Sequence, residues 1–454
     1  MSLYTRAGRA KVGDRDVLAF AVLVLYRITL DLSYCAAVSP AFSYSGFSID
    51  FAFNDYCLSW ACFLLCYLML PKSNSKLSSL ILQMLLLIMV TPFCSFFGLS
   101  DHAFNEETNL FFLMMSACFI FTCLFSRLGR TGSLRLVNDT KPIIKMILAI
   151  VVVGIVVFLG VTSGFHFSAL TLSSSEMYEI REDQDLGLSG ITNYIFSWCY
   201  HIFCPYLIAD AFFSKRYKES AFWVCMQIAM YLITPHKEIL FTPVLFFAVV
   251  FLMRKYKFLI SFSICFALLN IAAVLLYVFF ESTFILNNYS LRLLFVPAQI
   301  DFEYHDYFSQ MGFLMYSDTS FGFLFGSTYP FGELTPGNII ALFYQGVVSN
   351  SNTGYLSAAY ANGGYIAMFV ESLLLGLILI LLDALSQKDS VTPLFALGVN
   401  SWWNLINIPL SSALLTGGIL IILFLAYFGG ASFWKYHLRP QGHISYEEKR
   451  QLLQ

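Results

Sequence analysis

Charged residues are scarce in this chain of 454 residues, of which Asp, Glu, Lys and Arg make up only 12%. Hydrophobic residues make up 58%, and the mean hydropathy is +0.71. A soluble chain carries about twice this proportion of charge, so the composition excludes a soluble protein. It predicts an all-α polytopic membrane protein, with residues 1–454 forming a single integral membrane domain.

Nucleotide and metal signatures are absent too, since there is no P-loop, no paired CxxC, no HExxH and no GxGxxG after a strand. We therefore expect no cofactor and no metal. The 11 cysteines, from Cys35 to Cys265, all fall in or beside apolar runs, which disfavours a disulfide framework. The connectors that carry most of the Lys and Arg are too short to form a catalytic domain, so any chemistry would occur on the other side of the membrane. A substrate would have to arrive there already activated and attached to a carrier.

About twelve apolar runs are long enough to cross a hydrocarbon core of about 30 Å. The first carries Arg27 and Asp31 and precedes no convincing cleavage site, which favours a retained helix over a secretory signal. Two runs are short for separate spans, so a re-entrant hairpin is the alternative there. The runs lie near 17–39, 52–71, 77–98, 108–126, 143–163, 190–213, 220–234 with 239–253 (the short pair), 258–280, 362–385, 392–408 and 411–430.

The connectors between these runs differ sharply in basic residues. One side receives 22 of the 26 Lys and Arg, and the other receives only Arg181, Lys237 and Arg292. The positive-inside rule then predicts that both termini, including the tail 431–454, are cytoplasmic. On the far side the three cations stand among 17 Asp and Glu, so each is a candidate for holding an anionic ligand.

Two outer segments are too long to be simple connectors. They are the first outer loop, 164–189, and the large outer loop, 281–361. Loops of this length in a compact protein are usually functional. The second is rich in Phe, Tyr and Leu, so we expect it to fold as helices packed on the outer membrane face.

Three stretches carry a resemblance to a family. NSNTGYLSAAYANGGYIAMFVESLLLG (350–376), SLRLLFVPAQIDFEYHDYF (290–308) and TPHKEILFTPVLF (234–246) resemble segments of Wzy-type polymerases of O-antigen and capsule repeat units. The matched positions are Asn352, Gly354, Tyr360, Gly363 and Gly364 in the first stretch, Arg292, Pro297 and Tyr304 to Phe308 in the second, and His236 with Lys237 in the third. The paired Arg-x10-Gly motifs of some members are missing, because neither Arg181 nor Arg292 has a glycine eleven positions on.

The resemblance implies a glycosyltransferase of the bacterial inner membrane with a fold like that of the lipid-carrier (GT-C-like) glycosyltransferases. Donor and acceptor would both be undecaprenyl-pyrophosphate-linked glycans, joined on the periplasmic face without metal or nucleotide. Membrane lipids and a chain-length co-polymerase are the implied partners, and no nucleic acid is expected.

Within that hypothesis Arg292 is the first choice for meeting the charge that grows on the leaving pyrophosphate. Arg181 and Lys237 are candidate substrate-binding residues, with ion pairing or snorkelling as the alternative for each. His305 and His236 are candidate bases, as are the carboxyls of Glu303 and Asp306. Tyr304 and Tyr307 are candidate substrate-binding residues that could stack on sugar faces, with simple packing as the alternative. Asn352 and Tyr360 of the matched motif are further candidate substrate-binding residues.

Two rival functions stay open. A transporter or glycolipid flippase would use Asp210, Glu371 or His201, because isolated ionisable groups at membrane depth usually face a cavity. An O-antigen ligase would share the chemistry and differ only in its acceptor. Arg27 and Asp31 lie four residues apart, so we expect them to neutralise each other on one helix face.

Overall fold

The computed structural model describes residues 2–100, 107–132, 134, 141–168, 191–253, 256–319, 326, 328–386 and 391–428. These residues are mostly helical, with no strand among them. Twelve helices are labelled here in chain order: α1 (Asp16–Ser45), α2 (Phe53–Met69), α3 (Leu77–Leu99), α4 (Thr108–Ser126), α5 (Pro142–Thr162), α6 (Ile191–Phe213), α7 (Tyr217–Ile233), α8 (Lys237–Leu252), α9 (Phe258–Phe280), α10 (Pro336–Gln345), α11 (Tyr355–Leu385) and α12 (Leu410–Phe428).

Eight of these helices are long and apolar enough to span a membrane, namely α1, α3, α4, α5, α6, α9, α11 and α12. The chain is therefore a polytopic membrane protein. Three further predicted spans are helical but short, since α2, α7 and α8 have 17, 17 and 16 residues. The run 392–408 is broken into Val391–Leu397, Val399–Trp403 and a 3-10 turn. Among the described residues, eight helices are thus long and apolar enough to span, and the twelve spans that the sequence predicts are not confirmed.

Proline interrupts three of the spans in the same way. A π-helical turn occurs at Tyr34–Val38 in α1, at Leu86–Val90 in α3 and at Cys199–Phe203 in α6, and the next α-helical turn has proline at its first or second position each time. Proline has no N–H, and its ring clashes with the carbonyl four residues earlier. Widening that turn by one residue relieves the clash.

One end of the bundle, called here the basic end, is held by ion pairs between neighbouring helices. Lys257, before α9, pairs with Asp16 of α1 at 2.7 Å. Lys145 of α5 lies 3.1 Å from Asp210 of α6, and the Asp383 carboxylate near the end of α11 accepts a hydrogen bond from the Ser78 N–H at 3.0 Å. The segments that meet here all belong to the side that the sequence analysis identifies as basic.

The opposite end, called here the distal end, joins the other set of connectors. Ile49 and Ser100 form an isolated antiparallel bridge. The His166 N–H donates to the Leu232 carbonyl at 2.8 Å, and the Trp198 indole donates to the Leu415 carbonyl at 2.8 Å. These contacts join segments that the sequence assigns to the side with few basic residues.

A helix at the distal end, called here the crossing helix, runs from one side of the bundle to the other. Its π-helical part, Leu286–Phe295, continues directly into α-helical Val296–Met311 with Pro297 near the junction. Along its length it contacts successive helices, because Tyr289 donates to a carbonyl of α9, Phe302 stacks on Phe93 of α3 and His305 stacks on Phe111 of α4. The large outer loop is helical here, as expected, but this part of it is packed among the spans and does not lie on top of them.

Arg27 and Asp31 form the expected intrahelical pair, with Nε and Oδ1 3.1 Å apart. Arg27 also donates to the backbone carbonyls of Thr91 and Cys94 and to the Ser59 hydroxyl. Asp31 accepts from Tyr56 and Ser95. Both charges are thus satisfied inside the bundle, and the pair joins α1, α2 and α3.

Candidate functional site

An open recess of about 470 Å³ lies at the distal end, between the start of α8 and the chain that enters the crossing helix. It brings together Lys237 and Arg292, two of the three cations that the sequence nominates. Its lining consists of Lys237, Glu281, Ser282, Thr283, Phe284, Asn287, Asn288 and Arg292. Two cations face one carboxylate, and the remaining polar groups are hydroxyls and amides, which donate readily to an anion.

Arg292 is exposed on the π-helical part of the crossing helix, whereas its neighbours Leu291 and Leu294 are buried. Burial of these leucines fixes the backbone, and the guanidinium consequently faces the recess. Within the described residues, Arg292 makes no hydrogen bond or ion pair. Its fork of N–H donors is therefore available to a ligand with two acceptor oxygens.

Lys237 is the first residue of α8 and is partly buried. The preceding residue, His236, is the N-cap of this helix, and its side chain does not cap the helical N–H groups. The N-terminus of α8 thus adds its own positive partial charge beside the Lys237 ammonium. His236 itself is exposed, adjacent to the recess but not part of its lining.

The third nominated cation, Arg181, lies outside the described residues, as does most of the loop 164–189. Asn352 is exposed just before α11 and does not line the recess. Neither residue adds to the described geometry of the site.

Four aromatic candidates are buried in the core and do not line the recess: Tyr304, His305, Tyr307 and Tyr360. The Tyr304 hydroxyl donates to the Ser351 carbonyl at 3.2 Å, and Tyr307 packs on Phe308 and Phe343. These contacts correspond to the packing alternative that the sequence leaves open.

His305 is fully buried between Phe111 and Tyr360, with ring centroids 4.4 and 4.8 Å away. Its Nε2 lies 3.3 Å from the Tyr365 hydroxyl. Burial lowers the pKa of His305 to about 4, so the ring is neutral at pH 7. A neutral, enclosed imidazole of such low basicity is a weak candidate for accepting a proton from a sugar hydroxyl.

Two carboxyls on the same helix are more basic than usual. Burial raises the pKa of Asp301 to about 7, although the hydroxyls of Thr353 and Ser357 donate to it at 2.8 and 2.7 Å. Burial likewise raises the pKa of Glu303 to about 7, and its Oε2 has no hydrogen-bond partner among the described residues. Glu303 is a candidate base from the sequence, whereas Asp301 is not, because nothing in the spacing of Asp301 indicates that it is buried.

The paired glycines of α11 produce a break that anchors the loop after the crossing helix. Gly364 has φ +64° and ψ −154°, so the helix cannot continue through it. The freed carbonyls of Ala361 and Asn362 accept the N–H groups of Leu314 and Met315 at 2.9 and 3.0 Å. The loop is thereby fixed to α11 at the distal end.

The ionisable groups behind the transporter hypothesis have structural partners. Asp210 pairs with Lys145 and Arg216 at the basic end. His201 lies within hydrogen-bonding distance of Ser197 and Asn404, and Glu371 accepts from the Tyr316 hydroxyl at 3.1 Å. Ion pairing accounts for Asp210 without a transport role.

The fold and composition define a helical polytopic membrane protein with a cationic recess at one end. Comparison with protein-family models, with curated proteins and with solved structures finds no match to this chain.

Proposed function

We propose that the protein polymerises undecaprenyl-pyrophosphate-linked oligosaccharide repeat units on the periplasmic face of the bacterial inner membrane. The observation that carries this proposal is the convergence of Lys237 and Arg292 on one recess at the distal end. These cations come from two of the three stretches that resemble Wzy-type polymerases. A lipid-linked pyrophosphate has the charge and the two acceptor oxygens that this lining favours.

The largest change in charge during this reaction occurs on the pyrophosphate oxygens, which would lie beside Lys237 and Arg292. A hydroxyl of the acceptor glycan attacks the anomeric carbon of the donor and releases its proton to water. The bond from that carbon to the pyrophosphate oxygen breaks, and the lipid pyrophosphate leaves with the electron pair. Arg292 would stabilise this oxygen charge with two parallel hydrogen bonds. Lys237 and the positive end of α8 would add to the same field.

Transport is the less favoured function, because Asp210, one of its two candidate carboxylates, is engaged in ion pairs with Lys145 and Arg216. Ligation of a finished glycan to another acceptor would use the same recess, so the acceptor assay must separate ligation from polymerisation.

The test uses purified protein and the lipid-linked repeat unit that accumulates in cells lacking the gene. Arg292→Ala should reduce polymer formation on the order of 10²–10³-fold, as when one donor to a developing oxyanion is removed. Arg292→Lys should restore only part of the rate, because an ammonium keeps the charge but loses the planar fork.

Arg130→Ala is the matched control, since Arg130 is an exposed arginine on the basic side of the chain. It should leave the rate within about twofold of the wild type, because surface substitutions away from a site are usually near neutral. Full polymer from Arg292→Ala at normal abundance would contradict the proposal. Transfer of single units to a lipid A core by the wild type, with no polymer, would establish a ligase instead.

A further inference from the structure

A second cavity at the distal end is small and rich in hydroxyls. It has a volume of about 140 Å³ and lies where the starts of α6 and α12 meet the loop after the crossing helix. One ordered water needs only about 10–15 Å³, so this cavity has room for a larger ligand. Its lining consists of Tyr194, Asp318, Thr319, Pro409, Ser411, Ser412, Leu415 and Thr416.

The chemistry of this lining differs from that of the recess. It contains no lysine or arginine, so it offers no cation to a phosphate. Four aliphatic hydroxyls line the cavity. Those of Ser411 and Ser412 can donate and accept a hydrogen bond, whereas those of Thr319 and Thr416 donate to backbone carbonyls and can accept from a ligand. Tyr194 adds an aromatic ring, and aromatic faces are suited to the apolar faces of sugar rings.

Asp318 supplies the one carboxylate of the lining. Its Oδ1 is buried and has no hydrogen-bond partner among the described residues. A buried acceptor without a donor costs free energy, and rotation of the carboxylate toward the cavity would let a ligand hydroxyl satisfy it. Burial also raises the pKa of Asp318.

The walls of the cavity are held in place before any ligand arrives. The Thr319 hydroxyl donates to the Tyr316 carbonyl at 2.8 Å, and the N–H of Tyr316 donates to Asn362 Oδ1 at 2.9 Å. On the opposite wall, the Ser197 hydroxyl donates to the Thr416 carbonyl at 3.1 Å. Such preorganisation lowers the entropy that a ligand must overcome on binding.

A metal ion fits these groups less well than a sugar. Hard cations prefer several carboxylate or carbonyl oxygens, whereas this cavity presents one carboxylate among hydroxyls. The described part of the chain also contains no group of three or more His, Cys, Asp or Glu arranged to hold a metal.

We propose that this cavity binds one neutral sugar ring of the acceptor glycan, with the Asp318 carboxylate accepting a hydrogen bond from a ring hydroxyl. The assignment to the acceptor rests on the proposed polymerase function, in which the pyrophosphate of the donor occupies the recess of Lys237 and Arg292. The two cavities then separate the charged and the neutral parts of the substrates.

Two probes test the two cavities separately. The first is the free oligosaccharide released by mild acid from the accumulated lipid-linked repeat unit, and the second is undecaprenyl pyrophosphate. Asp318→Asn should weaken oligosaccharide binding about tenfold or more, and Ser412→Ala should weaken it less. The difference is expected because a hydrogen bond to a charged group is stronger than one to a neutral hydroxyl. Binding of undecaprenyl pyrophosphate should be unchanged in both.

Ser349→Ala, at an exposed serine away from both linings, is the control and should bind both probes like the wild type. Arg292→Ala should show the reverse pattern, with weaker binding of undecaprenyl pyrophosphate and unchanged binding of the oligosaccharide. Unfolding temperatures close to that of the wild type confirm that the variants are folded.

The sugar site is overturned if the wild type does not bind the free oligosaccharide, or if Asp318→Asn binds it as tightly as the wild type. Oligosaccharide binding that depends on Asp318 in a protein that makes no polymer would support the sugar site and refute the polymerase. If Asp318→Asn forms polymer and binds the oligosaccharide with full affinity, the polymerase is supported and the sugar site is refuted.

Discussion

Replacing Glu303 by glutamine should stabilise the protein at high pH and leave it nearly unchanged at low pH. Glu303 is only 2% exposed, its Oε2 has no partner among the described residues, and burial raises its pKa from 4.5 to about 7. The folded state therefore holds the proton more tightly than the unfolded state. The contribution of the protonated carboxyl to the free energy of unfolding is fully present below about pH 4.5 and is lost as the pH rises through 7.

The size of the effect follows from the two pKa values. Each pKa unit corresponds to about 1.4 kcal/mol, so the rise from 4.5 to about 7 makes the ionised carboxylate cost about 3 kcal/mol above pH 8. Glutamine keeps the shape of the side chain and carries no charge. Glu303→Gln should accordingly match the wild type near pH 4.5 and exceed its stability by up to about 3 kcal/mol near pH 8.5.

Unfolding of the detergent-solubilised protein, followed at several pH values, measures this difference. Glu333→Gln, at an exposed carboxyl, is the matched control, and its difference from the wild type should be small and independent of pH. If Glu303→Gln instead destabilises the protein equally at pH 4.5 and 8.5, the carboxylate has a stabilising partner and the argument from burial fails.

Two further predictions concern the framework around the site. Arg27→Ala should destabilise the protein by about 3–5 kcal/mol, because it leaves Asp31 buried without its cation. The double variant with Asp31→Ala should unfold at a higher temperature than Arg27→Ala. A lower unfolding temperature of the double variant would contradict the pairing. Gly364→Ala should cost about 1–3 kcal/mol, because φ is +64° and the new Cβ would lie 2.9 Å from the Phe313 ring. Gly154→Ala, where a Cβ meets nothing within 4 Å, is the control for unfolding temperature, and equal effects at both glycines would refute the strain.

The apolar runs predict where helices occur but not how long each one is. The run near 52–71 contains a helix of 17 residues, because the backbone is extended at Ala52 and Leu70. The helix in the run near 220–234 begins three residues before the run, at Tyr217. The run near 392–408 breaks at Gly398, where the ring of Trp402 occupies the space of a side chain. Apolar composition alone does not reveal such interruptions, since a buried broken segment is as hydrophobic as a continuous span.

The candidate site is predictable in its parts and not in its assembly. The scarcity of outer cations singles out Lys237 and Arg292 as individuals, but only the packing of α8 beside the entry to the crossing helix brings them to one recess. The aromatic spacing of Tyr304 and Tyr307 fits both stacking on sugars and packing in a core, and the structure shows packing. Asp318 gives no signal in the sequence, because its environment depends on a loop fixed to the break in α11.

The acidic count of the outer segments does not describe the charge near the recess. Burial raises the pKa of Asp301 and of Glu303 to about 7, so these two carboxyls carry less negative charge near neutral pH than their number implies. Glu281 is the one carboxylate in the recess lining, where it faces two cations. Because charges in a partly enclosed recess act mainly over short distances in salt solution, Lys237 and Arg292 determine the local sign, and an anion is favoured at an end of the molecule that is formally acidic.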